Sequence, residues 1–168
     1  IGWLQPGEPF RKIGFIIALG TILGAAILDL TLILIQAARQ QLTHDWWDFQ
    51  REKHELFTSQ VVLDEIAAGE PAMAQRRLEL VAGIAVLDLT PAAESLAAEV
   101  LGSGLLPADA DGDAAHIALA STHGLEILLT WNCRHIANPA IVGRLRRLVE
   151  TQGHKLPEIY TPEEFLGE

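Results

Sequence analysis

Hydrophobic positions along this chain fall into short blocks set between helix starts and stops. From Ile13 to Ile35 the sequence IGFIIALGTILGAAILDLTLILI is apolar almost throughout, with Asp29 its only charge and Thr21 and Thr31 its only other polar side chains. Such a run shows neither the period of a half-buried strand nor that of an amphipathic helix, so it predicts an element buried all round or a membrane span. Helical residues follow over about 33–49. Leu56-Phe57-Thr58 is a short strand candidate, and Ser59 is placed to cap a helix over 60–68 that Gly69 stops. Pro71 starts another helix that runs to position 82, with Gly83 beyond it.

Residues 85–89 read as a strand, and Thr90-Pro91 opens a helix that closes at Gly102. After the loop SGLLPADADG, an apolar-rich helix is expected over 113–123, with Gly124 at its end. The clearest strand, 125–130, runs directly into Trp131-Asn132. A helix over 140–152 stops at Gly153, and Ile159-Tyr160 is a last short strand. Thr161-Pro162-Glu163-Glu164 is a capping box with proline at the first helical position. Strands separated by helices predict an α/β fold, a three-layer sandwich whose central parallel sheet of about four to five strands is covered by helices on both faces. Ligands collect at the carboxyl ends of the strands in such sheets.

The apolar run admits two membrane readings. Arg11-Lys12 gives it a positive flank and Gly20-x-x-x-Gly24 a helix-dimer motif, as in a single N-terminal span. A signal peptide would use the same basic pair, with Ala25-Ala26 as small residues. Against both stands a buried strand over about 14–19 followed by helix, since a strand covered on both faces is apolar without alternation. The strand and helix alternation of the rest of the chain favours this third reading.

A chain of 168 residues with 49% hydrophobic content is expected to fold as one domain over 1–168. The lone Cys133 rules out a disulfide framework and favours a reducing, cytoplasmic setting. Twelve Lys and Arg against twenty-two Asp and Glu give a net charge of -10, which argues against a general nucleic-acid coat but not against a carboxylate metal site. No dinucleotide fingerprint or P-loop is present. Asp109-x-Asp111-x-Asp113 begins like a calcium loop, yet Ala114 and Ala120 stand where glycine and glutamate belong. Six scattered histidines and one cysteine leave no closed zinc site.

What remains is a set of polar residues at element starts and ends. Glu65 lies on a helix whose Val61, Val62 and Ile66 can face a core; Asp113 opens the helix DAAHIALA, where the dipole favours an anion; Asn132 follows the strand ILLT. Taken singly, each has a plain alternative: a solvated helix face, a first-turn acid, a turn residue. Trp46-Trp47 and Trp131 read as core or dimer packing before base stacking, and Arg144-x-Arg146-Arg147 as a solvated face before a phosphate contact.

Taken together, the segments TSQVVLDEIAAGEP, DAAHIALASTHGLEILLTWNCRHIAN and LPEIYTPEEF resemble the PIN-domain nucleases, especially the VapC-like toxins of type II toxin-antitoxin systems. The middle segment carries most of the likeness, with Asp113 three residues before His116 and then a strand ending in Thr-Trp-Asn where others have Thr-x-Asp. The resemblance implies a PIN-like fold and an endoribonuclease that cleaves single-stranded RNA with magnesium or manganese. It casts Asp113 as a metal ligand, Glu65 as a ligand or water-positioning base, and Asn132 as a neutral donor behind them. Thr130 and His116 are implied as supporting residues, Thr130 orienting the phosphate or a water. As partners it implies an antitoxin protein and a second copy of the chain.

One position departs from the pattern. Counting back from AARQQ places the family's first acid at Leu19, before Gly20-Thr21, and leucine cannot bind magnesium. Residues 13–36 use only Ile, Gly, Phe, Ala, Leu, Thr, Asp and Gln, so an acid of similar outline is expected at position 19 in the natural chain. If leucine is native, the alternative is a catalytically inactive module that binds RNA or protein. A membrane-anchored protein with a soluble C-terminal domain is the remaining alternative.

Overall fold

The computed structural model describes residues 11–15 and 30–166. Among these, strand β1 (Arg11–Phe15) precedes helix α1 (Leu30–Phe49), then β2 (His54–Ser59), α2 (Gln60–Ala67) and α3 (Pro71–Val81). After β3 (Ala85–Leu87) come α4 (Pro91–Gly102), α5 (Asp111–Thr122), β4 (Ile127–Leu129), α6 (Pro139–Thr151), β5 (Glu158–Tyr160) and α7 (Pro162–Leu166). The strands pair in the order β3-β2-β1-β4-β5, all parallel. In register, Ile13 lies between Leu56 and Ile127, and Phe15 beside Leu129.

Local chemistry explains where the helices begin. Ser59 Oγ accepts the Val62 N–H at the start of α2, and Thr90 Oγ1 accepts the Ala93 N–H at the start of α4. Asn138 accepts the Ala140 N–H before Pro139 opens α6. Thr161 and Glu164 form the capping box, the Thr161 N–H donating to Glu164 Oε2 at 2.6 Å. At the end of α5, Gly124 takes φ 66°, a left-handed conformation that most side chains resist.

Side chains alternate across β4. Leu128 joins the larger core, with Val62 and Ile66 of α2, Leu96 and Val100 of α4, Ile117 of α5, and Leu145 and Val149 of α6. Ile127 and Leu129 face the other way, onto buried Trp46 of α1, with Leu56, Tyr160 and Phe165 around them. Phe165 of α7 meets Tyr160 edge-on at 5.2 Å.

This architecture corrects the expected three-layer sandwich built on a central sheet. Seven α-helices carry most of the described residues, and β3, β4 and β5 are three residues each. Three strand residues reach only about 10 Å. That is no more than one helix diameter of about 10–12 Å, so beyond the short strands the helices pack on one another. The larger core is accordingly gathered between α2, α4, α5 and α6.

The strand expected over 14–19 starts earlier, at Arg11; Leu19 and the Gly20-x-x-x-Gly24 motif lie outside the described residues. Ile13 to Phe15, where the apolar run begins, are strand residues with partners in β2 and β4. Among the described residues no helix is long and apolar enough to cross a membrane.

Candidate functional site

The carboxyl end of β4 leads into a tight turn that gathers polar groups around one acid. Thr130 is buried, its main-chain N–H donates to Tyr160 O, and its Oγ1 accepts the Asn132 N–H at 3.0 Å. The Asn132 carbonyl accepts the N–H groups of Ile136 and Ala137, which curls residues 132–137 back on themselves. Asn132 Oδ1 accepts the His135 main-chain N–H at 3.0 Å, an Asx-type turn. That bond fixes the amide's orientation, since the oxygen is used and Nδ2 must point the other way.

Nδ2 of Asn132 donates to Asp113 Oδ1 at 2.7 Å. The second oxygen of the same carboxylate, Oδ2, lies 2.6 Å from His135 Nδ1. Asp113 is therefore held on both oxygens by two side chains of one turn. It sits in the first turn of α5, where Ala110 provides no side-chain cap, so the helix dipole favours the acid. α5 begins two residues earlier than the sequence reading placed it, at Asp111.

Glu65 reaches the same region from α2. Its Oε1 lies 3.1 Å from Nε2 of fully buried His116, and its Oε2 is buried with no partner among the described residues. The approach is close because residue 112 is glycine: a Cβ there would come within 3.1 Å of Glu65 Oε1. Glu65 thus lies against the residue that precedes Asp113. An ionised carboxylate only accepts, so each acid is served by an imidazole N–H: Nδ1–H of His135 for Asp113, Nε2–H of His116 for Glu65.

The structure brings Glu65, Asp113, Asn132, Thr130 and His116 to one edge of the molecule, and it adds His135, which sequence reasoning missed. The signal for His135 was the spacing Asn-x-x-His, which an Asx-type turn closes into contact. Thr130 uses its hydroxyl to brace the turn, and buried as it is it does not face a substrate. Trp131 is tied to α1, its Nε1–H donating to Thr43 Oγ1 at 2.9 Å with the Arg39 guanidinium 5.3 Å from its ring. Arg146 pairs with Glu158 of β5 at 3.2 Å, an exposed contact of small energetic weight.

Among the described residues no group of three or more His, Cys, Asp or Glu side chains is gathered closely enough to hold a metal ion. The donor set still fits a hard divalent cation, which takes one or two carboxylates from a protein and fills its remaining positions with water and substrate oxygens. Glu65 Oε2, buried and without a partner among the described residues, is the atom that most clearly calls for a counter-charge. No protein-family model, curated protein or solved structure matches this chain.

Proposed function

We propose that this chain is a magnesium- or manganese-dependent endoribonuclease that cuts single-stranded RNA, the toxin of a toxin-antitoxin pair. The observation that carries the reading is the Asp113 carboxylate, gripped by Asn132 and His135, with Glu65 packed against the preceding Gly112 and its Oε2 without a partner among the described residues. The order Glu65, Asp113, His116, Thr130-Trp131-Asn132 and its likeness to the PIN-domain nucleases lend it further support.

A phosphodiester brings negative charge to a chain already at -10, so its hydrolysis at two acids requires a cation. That cation, when bound, activates a water and offsets charge on the phosphate. Asp113 and Glu65 are the residues that would hold it. Asn132 keeps Asp113 in place without adding charge, and His116 holds Glu65 Oε1. Hydrolysis consumes one water: its oxygen bonds to phosphorus, the bond to the leaving ribose oxygen breaks, and a proton passes to that oxygen.

A toxin of this kind works with partners. An antitoxin segment carrying Arg or Lys would satisfy the acids in place of the cation. A second copy of the chain would cover exposed apolar side chains such as Leu34 and Phe49 of α1. The single thiol suits a reducing, cytoplasmic setting.

The test is cleavage of end-labelled single-stranded RNA by the full chain. Cutting that requires magnesium or manganese, stops in excess EDTA and is lost in Asp113→Asn is the expected result. Full activity in EDTA overturns it. Leucine at position 19 favours a second reading, a module that binds RNA or protein without cutting. Tight RNA binding with no cleavage in either cation selects that reading.

A further inference from the structure

We propose that His135 is a positioning residue for Asp113, and that its Nδ1–H bond sets the affinity of the site for a divalent cation. The inference rests on the reading of Asp113 and Glu65 as cation ligands and assigns a role to a residue which that reading does not include.

Three observations carry it. First, the contact is short and specific: His135 Nδ1 lies 2.6 Å from Asp113 Oδ2, with the two side chains only 21% and 14% exposed. A hydrogen bond to a carboxylate in such a partly desolvated place is stronger than one on the surface. Second, the bond completes a closed ring. The His135 main-chain N–H holds Asn132 Oδ1, Asn132 Nδ2 holds Asp113 Oδ1, and the His135 ring returns to Asp113 Oδ2. With both oxygens engaged, the carboxylate cannot rotate about its last torsion, and each oxygen keeps one lone pair for another partner.

Third, the far nitrogen of the ring is not engaged. His135 Nε2 is buried and has no hydrogen-bond partner among the described residues. A residue present only to fill this space would be better apolar, because a buried, unpaired polar atom is destabilising. Of the two ring nitrogens only Nδ1 is engaged among the described residues, and its partner is Asp113. Outer partners that orient a metal ligand in this way typically change affinity by about 10–100-fold when removed.

The ring nitrogens make the idea separable from packing. An asparagine amide can place its N–H near the Nδ1 position, a glutamine reaches the Nε2 position instead, and phenylalanine keeps ring volume with no donor. We expect wild-type protein to bind Mn2+ in titrations followed by electron paramagnetic resonance, and His135→Phe to bind about 10–100-fold more weakly while melting as a folded protein. His135→Asn should recover most of the lost affinity and His135→Gln little of it. Independently of metal, long-range 1H–15N spectra of the cation-free chain should show His135 with its proton on Nδ1.

A proton found on Nε2 alone overturns the assignment. So does undiminished Mn2+ affinity in folded His135→Phe, or an asparagine variant no better than phenylalanine; either result leaves the wider cation reading standing. No Mn2+ binding by the wild-type chain at millimolar concentration removes both.

Discussion

Glu65 and His116 are 51 residues apart in the chain and meet at 3.1 Å, joining α2 to the buried face of α5. His116 is fully buried, so it contributes packing as well as an N–H for Glu65 Oε1. His116→Ala removes both and should lower unfolding free energy by about 2 kcal/mol or more. His116→Gln, whose amide nitrogen falls near the Nε2 position, should lose less. Urea melts of the two variants decide it: equal losses would mean that neither the volume nor the donor kept by glutamine contributes.

Gly112 separates stability from function. Alanine is better than glycine inside a helix by about 1 kcal/mol, and no positive φ opposes it here. Its Cβ would stand 3.1 Å from Glu65 Oε1, and the end of a glutamate side chain can swing aside. Gly112→Ala is therefore expected to melt at or above the wild-type temperature while its Mn2+ affinity and RNA cleavage fall. Unchanged Mn2+ binding in this variant would show that Glu65 is not a ligand.

Much of this was legible in the sequence, and for identifiable reasons. Caps and stops are local chemistry, which is why Ser59, Thr90 and the Thr161–Glu164 box mark real helix starts. The weight of the sheet was not legible, because strand length depends on neighbours: residues 125–130 read as one long strand, yet only Ile127–Leu129 are assigned to β4. Asp113 and Asn132 were found through their positions at element ends. His135 was missed because its meaning comes from the turn that folds it back onto Asp113, 22 residues earlier.

Asn132 tests the charge of the site. It donates to Asp113 at 2.7 Å, so Asn132→Asp would set two carboxylates at that separation. Like charges so close cannot both remain ionised without a cation between or beside them. The variant should be less stable than wild type in EDTA, by about 1–3 kcal/mol for the lost bond alone, and should gain more in melting temperature on adding Mn2+. Equal Mn2+-induced shifts in the two proteins would place the cation away from Asp113.

Trp46 tests the smaller core. It is fully buried on α1 against Ile127 and Leu129 of β4. Truncating so large a buried side chain leaves a cavity, so Trp46→Ala should cost about 3–5 kcal/mol. A loss under about 1 kcal/mol in guanidinium melts would mean that α1 is not anchored through this residue.

The last prediction concerns Leu19. β1 runs parallel to β4 with Phe15 beside Leu129, so both described strands end at the edge where Thr130 and Asn132 begin. With leucine at position 19, the proposed site draws on Glu65 and Asp113 among the described residues, and a hard cation is held weakly by two charges. Leu19→Asp should raise Mn2+ affinity at least about tenfold, because a direct carboxylate ligand outweighs an outer partner. It should raise the rate of RNA cleavage with it. Peptide mass spectrometry of the natural protein over residues 1–40 should read an acid at this position. If it reads leucine, and the leucine protein cuts RNA as fast as the aspartate variant, then the site does not draw on the end of the first strand, and a third ligand must be sought elsewhere.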